Sequence, residues 1–466
     1  MSTLTLLLHF LTPSFLRHSS SAPGAKRKLY PTSYLDGLRG IAAFIVFIDH
    51  FGTNWFEPLR RGYGSTEENH YLIQLPFIRL LYAGRASVAV FFVISGFVLS
   101  YKPLKQIRAA QFEALQDTLA SSVFRRGLRL YLPVAAGTFI SMLMAWAGWY
   151  RALPLHSTDG LPPALPSLTE HFWHWKNHMV GIAWPFQDVM PNSPTQVPYN
   201  GHLWTIAIEY YGSMIVYVVV LGFSRCKAWV RMLGVGGTAC AAMHFERWDI
   251  FLFLSGVMLA ELSLMKVNVA ERFEFEYASE KGSWWSQFWD DSALERWSRL
   301  LPTMNYFLCV FALYLLSYAG GSWIEYEPGP GPFHEYLMSW TPQRYWSLWF
   351  GFERFWTTIG GVILVFTISR SSVLQSPFTT PLAQYLGDIS YALYIVHGPI
   401  LFTAGTWFYD TYGQVEGIWQ WGAAFAGAAL FNTILCVWAG DLFWRGIDVK
   451  SVEFAKWFAG KCWVKH

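Results

Sequence analysis

The sequence predicts an all-α bundle of membrane-spanning helices, and three observations support that prediction. Of the 466 residues, 53% are hydrophobic and only 14% are charged, whereas soluble domains carry about 25% charged residues. The mean hydropathy is positive, at +0.26. The 25 tryptophans lie largely at the ends of apolar runs, where amphipathic rings settle at the membrane surface. Together they indicate a polytopic membrane protein.

About ten spans are predicted, because apolar runs of helical length alternate with basic, Pro-rich or Gly-rich connections. These runs cover residues 38–56, 84–101, 130–150, 202–224, 232–246, 249–265, 303–318, 353–369, 383–408 and 417–440. Residues 106–120 are interpreted as a separate surface helix. The Pro-rich loop after the third run is too irregular to form a domain.

An even number of spans places both termini on the same side of the membrane. Assigning that side to the cytoplasm puts most of the 34 Lys and Arg residues there, as the positive-inside rule requires. We therefore predict a disordered basic N-terminal tail over residues 1–33, a transmembrane domain over 34–445 and a cytoplasmic C-terminal tail over 446–466. The early apolar run LTLLLHFLTPSFL lacks the basic n-region of a cleaved signal peptide.

Several classes of partner are disfavoured by composition and spacing. The net charge of +3 is too small to indicate nucleic-acid binding. The five cysteines are scattered and show no CxxC spacing, so neither a disulfide framework nor a zinc site is indicated. His171, His174 and His178 in the run HFWHWKNH have metal-like spacing, but no acidic partner is placed with them. We expect no metal.

The first predicted span, within YLDGLRGIAAFIVFIDH, contains a cation near its start and an imidazole deep inside. Arg39 and His50 are eleven positions apart, which returns them to nearly the same helix face with about 16 Å between them. A lone histidine in such a run is usually a core residue bonded to a neighbouring helix. Its surroundings therefore decide whether it has a function.

Two further spans place ionisable residues at a similar predicted depth. Glu209 lies about seven residues into LWTIAIEYYG, where His202, Thr205 and Glu209 form one stripe at i, i+3, i+7. His397 lies in SYALYIVHG, on one face with Tyr394. Ionisable groups inside a membrane face the bundle interior or a wet cavity. We therefore expect His50, Glu209 and His397 to converge, with the carboxylate orienting a histidine for general-base chemistry.

The run FRRGLRLYLP carries Arg125, Arg126 and Arg129 at the predicted cytoplasmic end of the third span. Each of them alone is explained by the positive-inside rule. Three guanidiniums at one helix end also form a site suited to bidentate phosphate contacts, and Arg39 at the mouth of the first span would complete it.

At these residues the sequence resembles the membrane-bound acyltransferase 3 family of O-acyltransferases. The matching motifs, in the family's order, are LDGLRGIAAFIVFIDH, FFVISGFVLS, the arginine stretch with Pro133, LWTIAIEYYG and SYALYIVHGP. The resemblance implies transfer of an acyl group, commonly acetyl, from acyl-CoA to a hydroxyl. It implies an essential histidine at His50 and an arginine motif at Arg126 and Arg129. The long Pro-rich loops are similar to those of fungal members, whose acceptors include secondary metabolites.

The leading hypothesis is therefore an integral-membrane O-acyltransferase of the lipid bilayer, in an endomembrane such as the ER rather than the plasma membrane. Acyl-CoA is the co-substrate, no cofactor stays bound, and the acceptor is a hydroxyl of a small molecule or a glycan. The predicted roles are catalytic for His50 and Glu209, oxyanion or acceptor pocket for Trp204, Tyr394 and His397, and acyl-CoA binding for Arg39, Arg125, Arg126 and Arg129.

A proton-coupled transporter is the alternative, since it would use the same histidines and glutamate as a relay. Transporters often show paired repeats and broken helices in corresponding positions, and neither is evident here. A purely structural scaffold would leave the intramembrane ionisable groups unexplained.

Overall fold

The structure, a computed structural model, describes residues 8–17, 28–151, 161–184, 197–279, 291–320, 330–348 and 350–464, and of residues 266–279 and 291–301 it describes the backbone alone. Within these ranges the chain is helical and contains no strand. The principal helices are α1 (Ser33–Trp55), α2 (Gly84–Arg108), α3 (Phe112–Trp146), α4 (Leu168–Ala183), α5 (Trp204–Gly222), α6 (Ala228–His244), α7 (Trp248–Ser279), α8 (Asp291–Leu316), α9 (Gly351–Arg370), α10 (Pro381–Ile400), α11 (Ile418–Phe443) and α12 (Val449–Cys462).

These helices confirm the predicted all-α membrane fold. Six segments of the described chain are long and apolar enough to cross a bilayer: Gly84–Arg108, Phe112–Trp146, Gly201–Gly222, Trp248–Met265, Gly351–Arg370 and Ile418–Cys462. Each of the ten predicted spans coincides with a helix, although α1, α6, α8 and α10 are outside those six. Helix α6 and the apolar part of α8, Pro302–Leu316, are shorter than the six, whereas polar residues lower the hydropathy of α1 and α10. The number of spans and the side of the termini stay predictions.

Two local expectations differ from the structure. The predicted surface helix over 106–120 is not separate, because α2 continues to Arg108 and α3 begins at Phe112 and runs without interruption to Trp146. The polar start of α3 still forms hydrogen-bonded helical turns, so loss of hydropathy did not end the helix. The Pro-rich loop contains the regular helix α4, whose N-terminus is capped by the side chain of Ser167.

The chain divides into two compact units. The first unit comprises Met1–Arg60, Ser121–Tyr211 and Phe378–His466, and the second comprises Arg61–Ala120 and Gly212–Pro377. In the first unit α10 packs against α1 on one side and α11 on the other. In the second unit α2 packs against α7 and α9, and its Gly96 meets the backbone of Phe253 so closely that a Cβ there would clash.

Residues 8–17 fall in the predicted disordered tail, but in the structure they make ordered contacts. Ser14 donates its backbone N–H to the carboxylate of Asp441 at 3.1 Å, and Arg445 donates to the carbonyl oxygen of Phe10 at 3.0 Å. Asp441 is fully buried in α11, and a buried carboxylate requires hydrogen-bond donors. Residues 1–7 and 18–27 lie outside the described residues.

Candidate active site

Helices α1 and α10 run side by side in the same direction, and this arrangement carries the site. Thr380 caps α10 by accepting from the backbone N–H of Ala383, and Pro381 is its first residue, as is common at that position. The two helices touch at Gly40 and Gly387, where a Cβ on Gly40 would lie 2.2 Å from the Gly387 nitrogen. Only glycine permits this close approach.

Ten residues beyond that contact on each helix lies a histidine. Equal rises along two parallel helices bring His50 and His397 to the same level, about 15 Å from the glycine contact. Nδ1 of His50 is 2.8 Å from Nε2 of His397, and the two rings are stacked with centroids 5.1 Å apart. His397 is completely buried. The predicted convergence of these two histidines is present in the structure.

Hydrogen bonding determines which nitrogen of each ring carries the proton. Nδ1 of His397 lies 3.0 Å from the carbonyl oxygen of Leu393, and a carbonyl can only accept, so Nδ1 carries the hydrogen. In the neutral ring Nε2 then accepts from Nδ1–H of His50. The lone pair of neutral His50 is consequently on its Nε2. His397 therefore fixes the tautomer that places a basic nitrogen on His50.

A third imidazole, His202, completes the cluster. Its ring centroid is 4.1 Å from that of His397 and 5.5 Å from that of His50. Its Nε2 donates to the carbonyl oxygen of Tyr394 at 2.6 Å, which leaves the lone pair of the neutral ring on Nδ1. Sequence reasoning did not assign a role to His202. Its place on the same stripe as Glu209 was the signal that could have found it.

Tyr394 and Thr205 connect α10 to α5 beneath this cluster. The Tyr394 hydroxyl donates to the carbonyl oxygen of His202 at 2.5 Å, and Thr205 Oγ1 lies 2.7 Å from the same hydroxyl. The one hydroxyl hydrogen of Tyr394 is thus used by a backbone carbonyl, and the N–H of His397 is used by Leu393. In this arrangement neither offers a hydrogen to an oxyanion, and their place in an acceptor pocket stays a prediction. Trp204 is half-buried at the first residue of α5, and its role stays a prediction.

Glu209 occupies a different place from the one expected. Its Oε1 accepts from Nη2 of Arg126 at 2.5 Å, whereas the imidazole of His50, which it was expected to orient, contacts His397 through Nδ1. Seven residues of helix separate His202 from Glu209, or roughly 10 Å. Glu209 belongs with the arginine cluster.

The four predicted acyl-CoA arginines have distinct surroundings. Arg126 is buried, Arg129 is exposed, and Arg125 donates through Nε to the carbonyl oxygen of Ser121 at 3.1 Å. Arg39 donates to the carbonyl oxygen of Gly387 at 3.1 Å and lies 3.5 Å from Asp36.

Two acidic side chains lie near these arginines. The carboxylate of Asp448 lies within electrostatic range of Arg129 and Arg39, and Glu209 is paired with Arg126. The cluster therefore has less excess positive charge than the sequence pattern indicated.

The histidines of HFWHWKNH serve a local contact in α4. Nδ1 of His171 and Nδ1 of His174 each lie 3.2 Å from the hydroxyl of Tyr199. Burial lowers the pKa of both histidines and raises that of Tyr199 to about 12. These shifts favour neutral side chains, and the hydrogen bonds hold α4 to Tyr199, which lies shortly before α5.

Comparison with known proteins gives a family and several relatives. Residues 32–440 match the family model described as an acyltransferase domain, Acyl_transf_3. The chain is 31% identical to O-acetyltransferase PaAT-1 of Phomopsis amygdali over 97% of this chain and 88% of that protein. It is 23% identical to acyltransferase R4 of Phoma sp. over 84% of this chain and 86% of that one, and 23% identical to acyltransferase clz18 of Cochliobolus lunatus over 80% and 84%.

No solved structure matches the chain. The relatives are named as acyltransferases, which favours acyl transfer over the alternative of a proton-coupled transporter. A family model that covers most of the sequence, together with helices able to cross a bilayer, shows that the chain belongs to the acyltransferase 3 family and is an integral membrane protein.

Proposed function

We propose that this protein is an acyl-CoA-dependent O-acyltransferase that moves an acyl group, acetyl in the first instance, to a hydroxyl of a small molecule such as a secondary metabolite. The name of PaAT-1, an O-acetyltransferase, supports the acetyl group. The observation that carries the proposal is the contact between His50 and His397, which puts a lone pair on Nε2 of His50.

In this mechanism Nε2 of His50 accepts the proton of the acceptor hydroxyl as its oxygen attacks the thioester carbonyl. The carbon–sulfur bond breaks, and His50 returns the proton to the departing CoA thiolate. The Nδ1–H of His50 stays bonded to His397, which is a positioning residue and spreads the positive charge that develops on His50. A base held in this way contributes about 10²- to 10⁴-fold to the rate.

Acyl-CoA would enter at the arginine end of α1 and α10. Arg39 and His50 lie on one uninterrupted helix, about 16 Å apart by the helical rise, a distance that the extended pantetheine arm would have to cover. We assign phosphate contacts to Arg39 and Arg129. Nε of Arg39 is buried without a hydrogen-bond partner, and Arg129 is exposed. Arg126 is already engaged by Glu209, so we assign that pair to holding α3 against α5.

The test uses membranes that contain either the wild-type chain or the His50→Gln variant. They are incubated with labelled acetyl-CoA and a pool of hydroxyl-bearing metabolites, and new acetylated products are identified by mass. We expect label transfer by the wild type and its loss in the variant. Thermal stabilisation by CoA should be the same in both. Undiminished transfer by His50→Gln would refute the assignment of the base, and absence of stabilisation by CoA would favour a transporter.

A further inference from the structure

We infer that the imidazoles of His50, His202 and His397 form a binding site for a borderline divalent cation of the Zn²⁺ type, and that occupancy of this site blocks acyl transfer. One potential ligand atom from each ring lies within 4.8 Å of the others. The claim that a bound metal blocks acyl transfer rests on the proposed function, whereas the claim that the site binds metal depends on geometry alone.

The three rings are arranged as ligands. Metal-bound histidines usually donate their second ring N–H to a carbonyl or carboxylate, which fixes the tautomer and the orientation of the ring. Two of these imidazoles already do so, since His397 donates to Leu393 and His202 donates to Tyr394. Both backbone acceptors belong to α10. The lone pairs that a metal could bind are on Nε2 of His397, which now accepts from His50, and on Nδ1 of His202.

A fourth polar atom faces the same space. Oδ1 of Asn200 is buried without a hydrogen-bond partner, although the Nδ2 of that side chain donates to the carbonyl oxygen of Ile395 at 2.7 Å. A methyl group placed on Gly398 would lie 2.5 Å from this Oδ1 and 2.7 Å from Nδ1 of His202. Two atoms that accept but do not donate therefore converge beside Gly398. A cation would satisfy both of them.

The adjustment that a metal requires is small. Zinc binds imidazole nitrogen at 2.0–2.1 Å in tetrahedral geometry, which places two ligand nitrogens about 3.3 Å apart. Nδ1 of His50 becomes a ligand when its hydrogen moves to Nε2, and this nitrogen and Nε2 of His397, now 2.8 Å apart, would separate by about half an ångström. No pair of ligand atoms would have to approach by more than about 1.5 Å, since all lie within 4.8 Å of one another.

Metal binding would inhibit transfer because a neutral imidazole has only one basic lone pair. Coordination uses that lone pair, whichever nitrogen of His50 becomes the ligand. The same histidine then has no lone pair to accept the proton of an acceptor hydroxyl. Metal binding and base catalysis are mutually exclusive at this residue.

The experiment treats the purified full chain in detergent with chelator and then titrates it with Zn²⁺, or with Co²⁺ as a spectroscopic probe. We expect one ion per chain, a visible Co²⁺ spectrum of tetrahedral type, and inhibition of acetyl transfer that chelator reverses. His202→Asn should weaken binding by at least about tenfold. His174→Asn, a histidine of α4 outside the cluster, should bind as the wild type does.

His50→Gln provides a second variant in case His202→Asn fails to fold, and the thermal unfolding midpoint without ligand reports folding in each. Binding that is unchanged in both cluster variants, absence of stoichiometric binding, or activation of transfer by Zn²⁺ would each overturn the inference. Because metal content and Co²⁺ absorption are measured without any substrate, failure of the proposed function leaves them interpretable. If His50→Gln loses acyl transfer but the wild type binds no metal, the proposed function stands and the metal site is refuted.

Discussion

In the second unit the buried carboxylate of Glu261, 1% exposed, accepts hydrogen bonds from two guanidiniums. Arg231 donates at 2.8 Å and Arg108 at 2.7 Å. In the first unit the buried imidazole of His397 has a different kind of partner, because its hydrogen bonds join it to a backbone carbonyl and to the ring of His50, and the ring of His202 lies beside it. One cluster neutralises charge with opposite charge, whereas the other keeps neutral groups with lone pairs close together.

This difference indicates which buried polar groups are suited to catalysis. Ion pairs inside a membrane protein have strong mutual contacts that hold helices in place, but their paired groups offer no atom that accepts a substrate proton at neutral pH. Neutral imidazoles that are oriented by carbonyls keep one basic nitrogen each. We therefore assign stability to Glu261 with its arginines, and catalysis to the histidine cluster.

The largest expected effect is the loss of transfer in His50→Gln. If Nε2 of His50 is the base, the transfer rate should fall by about 10²- to 10⁴-fold while the thermal midpoint stays close to that of the wild type. Initial rates with labelled acetyl-CoA and a melting curve measure the two quantities. A fall in stability that parallels the fall in rate would make His50 a structural residue like Glu261.

The second test breaks the ion-pair cluster. Removing one partner of a buried pair costs about 3–5 kcal/mol, so Glu261→Gln should lower the free energy of unfolding by that order and leave the specific activity of folded protein unchanged. Denaturant titration in detergent gives the stability. Glu453→Gln is the matched control, because Glu453 forms an exposed pair with Lys450, and such pairs contribute less than about 1 kcal/mol.

A third test concerns a neutral imidazole in the second unit. Burial lowers the pKa of His334 to about 4 from an ordinary value of 6.5, and its Nε2 donates to the carbonyl oxygen of Tyr314 at 3.2 Å. The unfolded chain therefore takes up this proton at higher pH than the folded chain does. Stability is retained above pH 6.5 and falls between about pH 6.5 and 4, by about 3 kcal/mol in total.

Unfolding measured across this pH range checks the effect, and His334→Gln should flatten the curve while retaining a donor for Tyr314. If the wild type and the variant show the same pH dependence, His334 does not titrate as its burial indicates.

The smallest expected effect separates two arginines of α3. Arg129→Ala should raise the KM for acetyl-CoA by about tenfold, as expected for one charge-assisted hydrogen bond to phosphate, with little change in kcat. Arg125→Ala should alter KM much less, because its Nε is held by Ser121. Initial rates against acetyl-CoA concentration distinguish the two variants. Equal effects would show that general positive charge, rather than a specific contact, attracts the substrate.

Much of the fold was predictable because helix formation and burial in a membrane depend on local pattern. The apolar runs located a helix for each predicted span, and His50 and His397 were recognised because an imidazole is rare in such runs. The site was predicted only in part. His202 precedes the first turn of α5, where a polar residue is unremarkable, and Glu209 was assigned to the imidazoles because its depth could be estimated only from approximate span ends.

The sequence by itself determined the all-α membrane architecture, the family and the identity of the two paired histidines, since each of these is written in composition or in local motifs. Tertiary structure decided which atoms meet. The close approach of Gly40 and Gly387 sets the register of α1 and α10, and in that register His50 contacts His397. Arg126 forms an ion pair with Glu209. Contacts between residues separated by hundreds of positions depend on how helices pack, and spacing along one chain does not encode that packing.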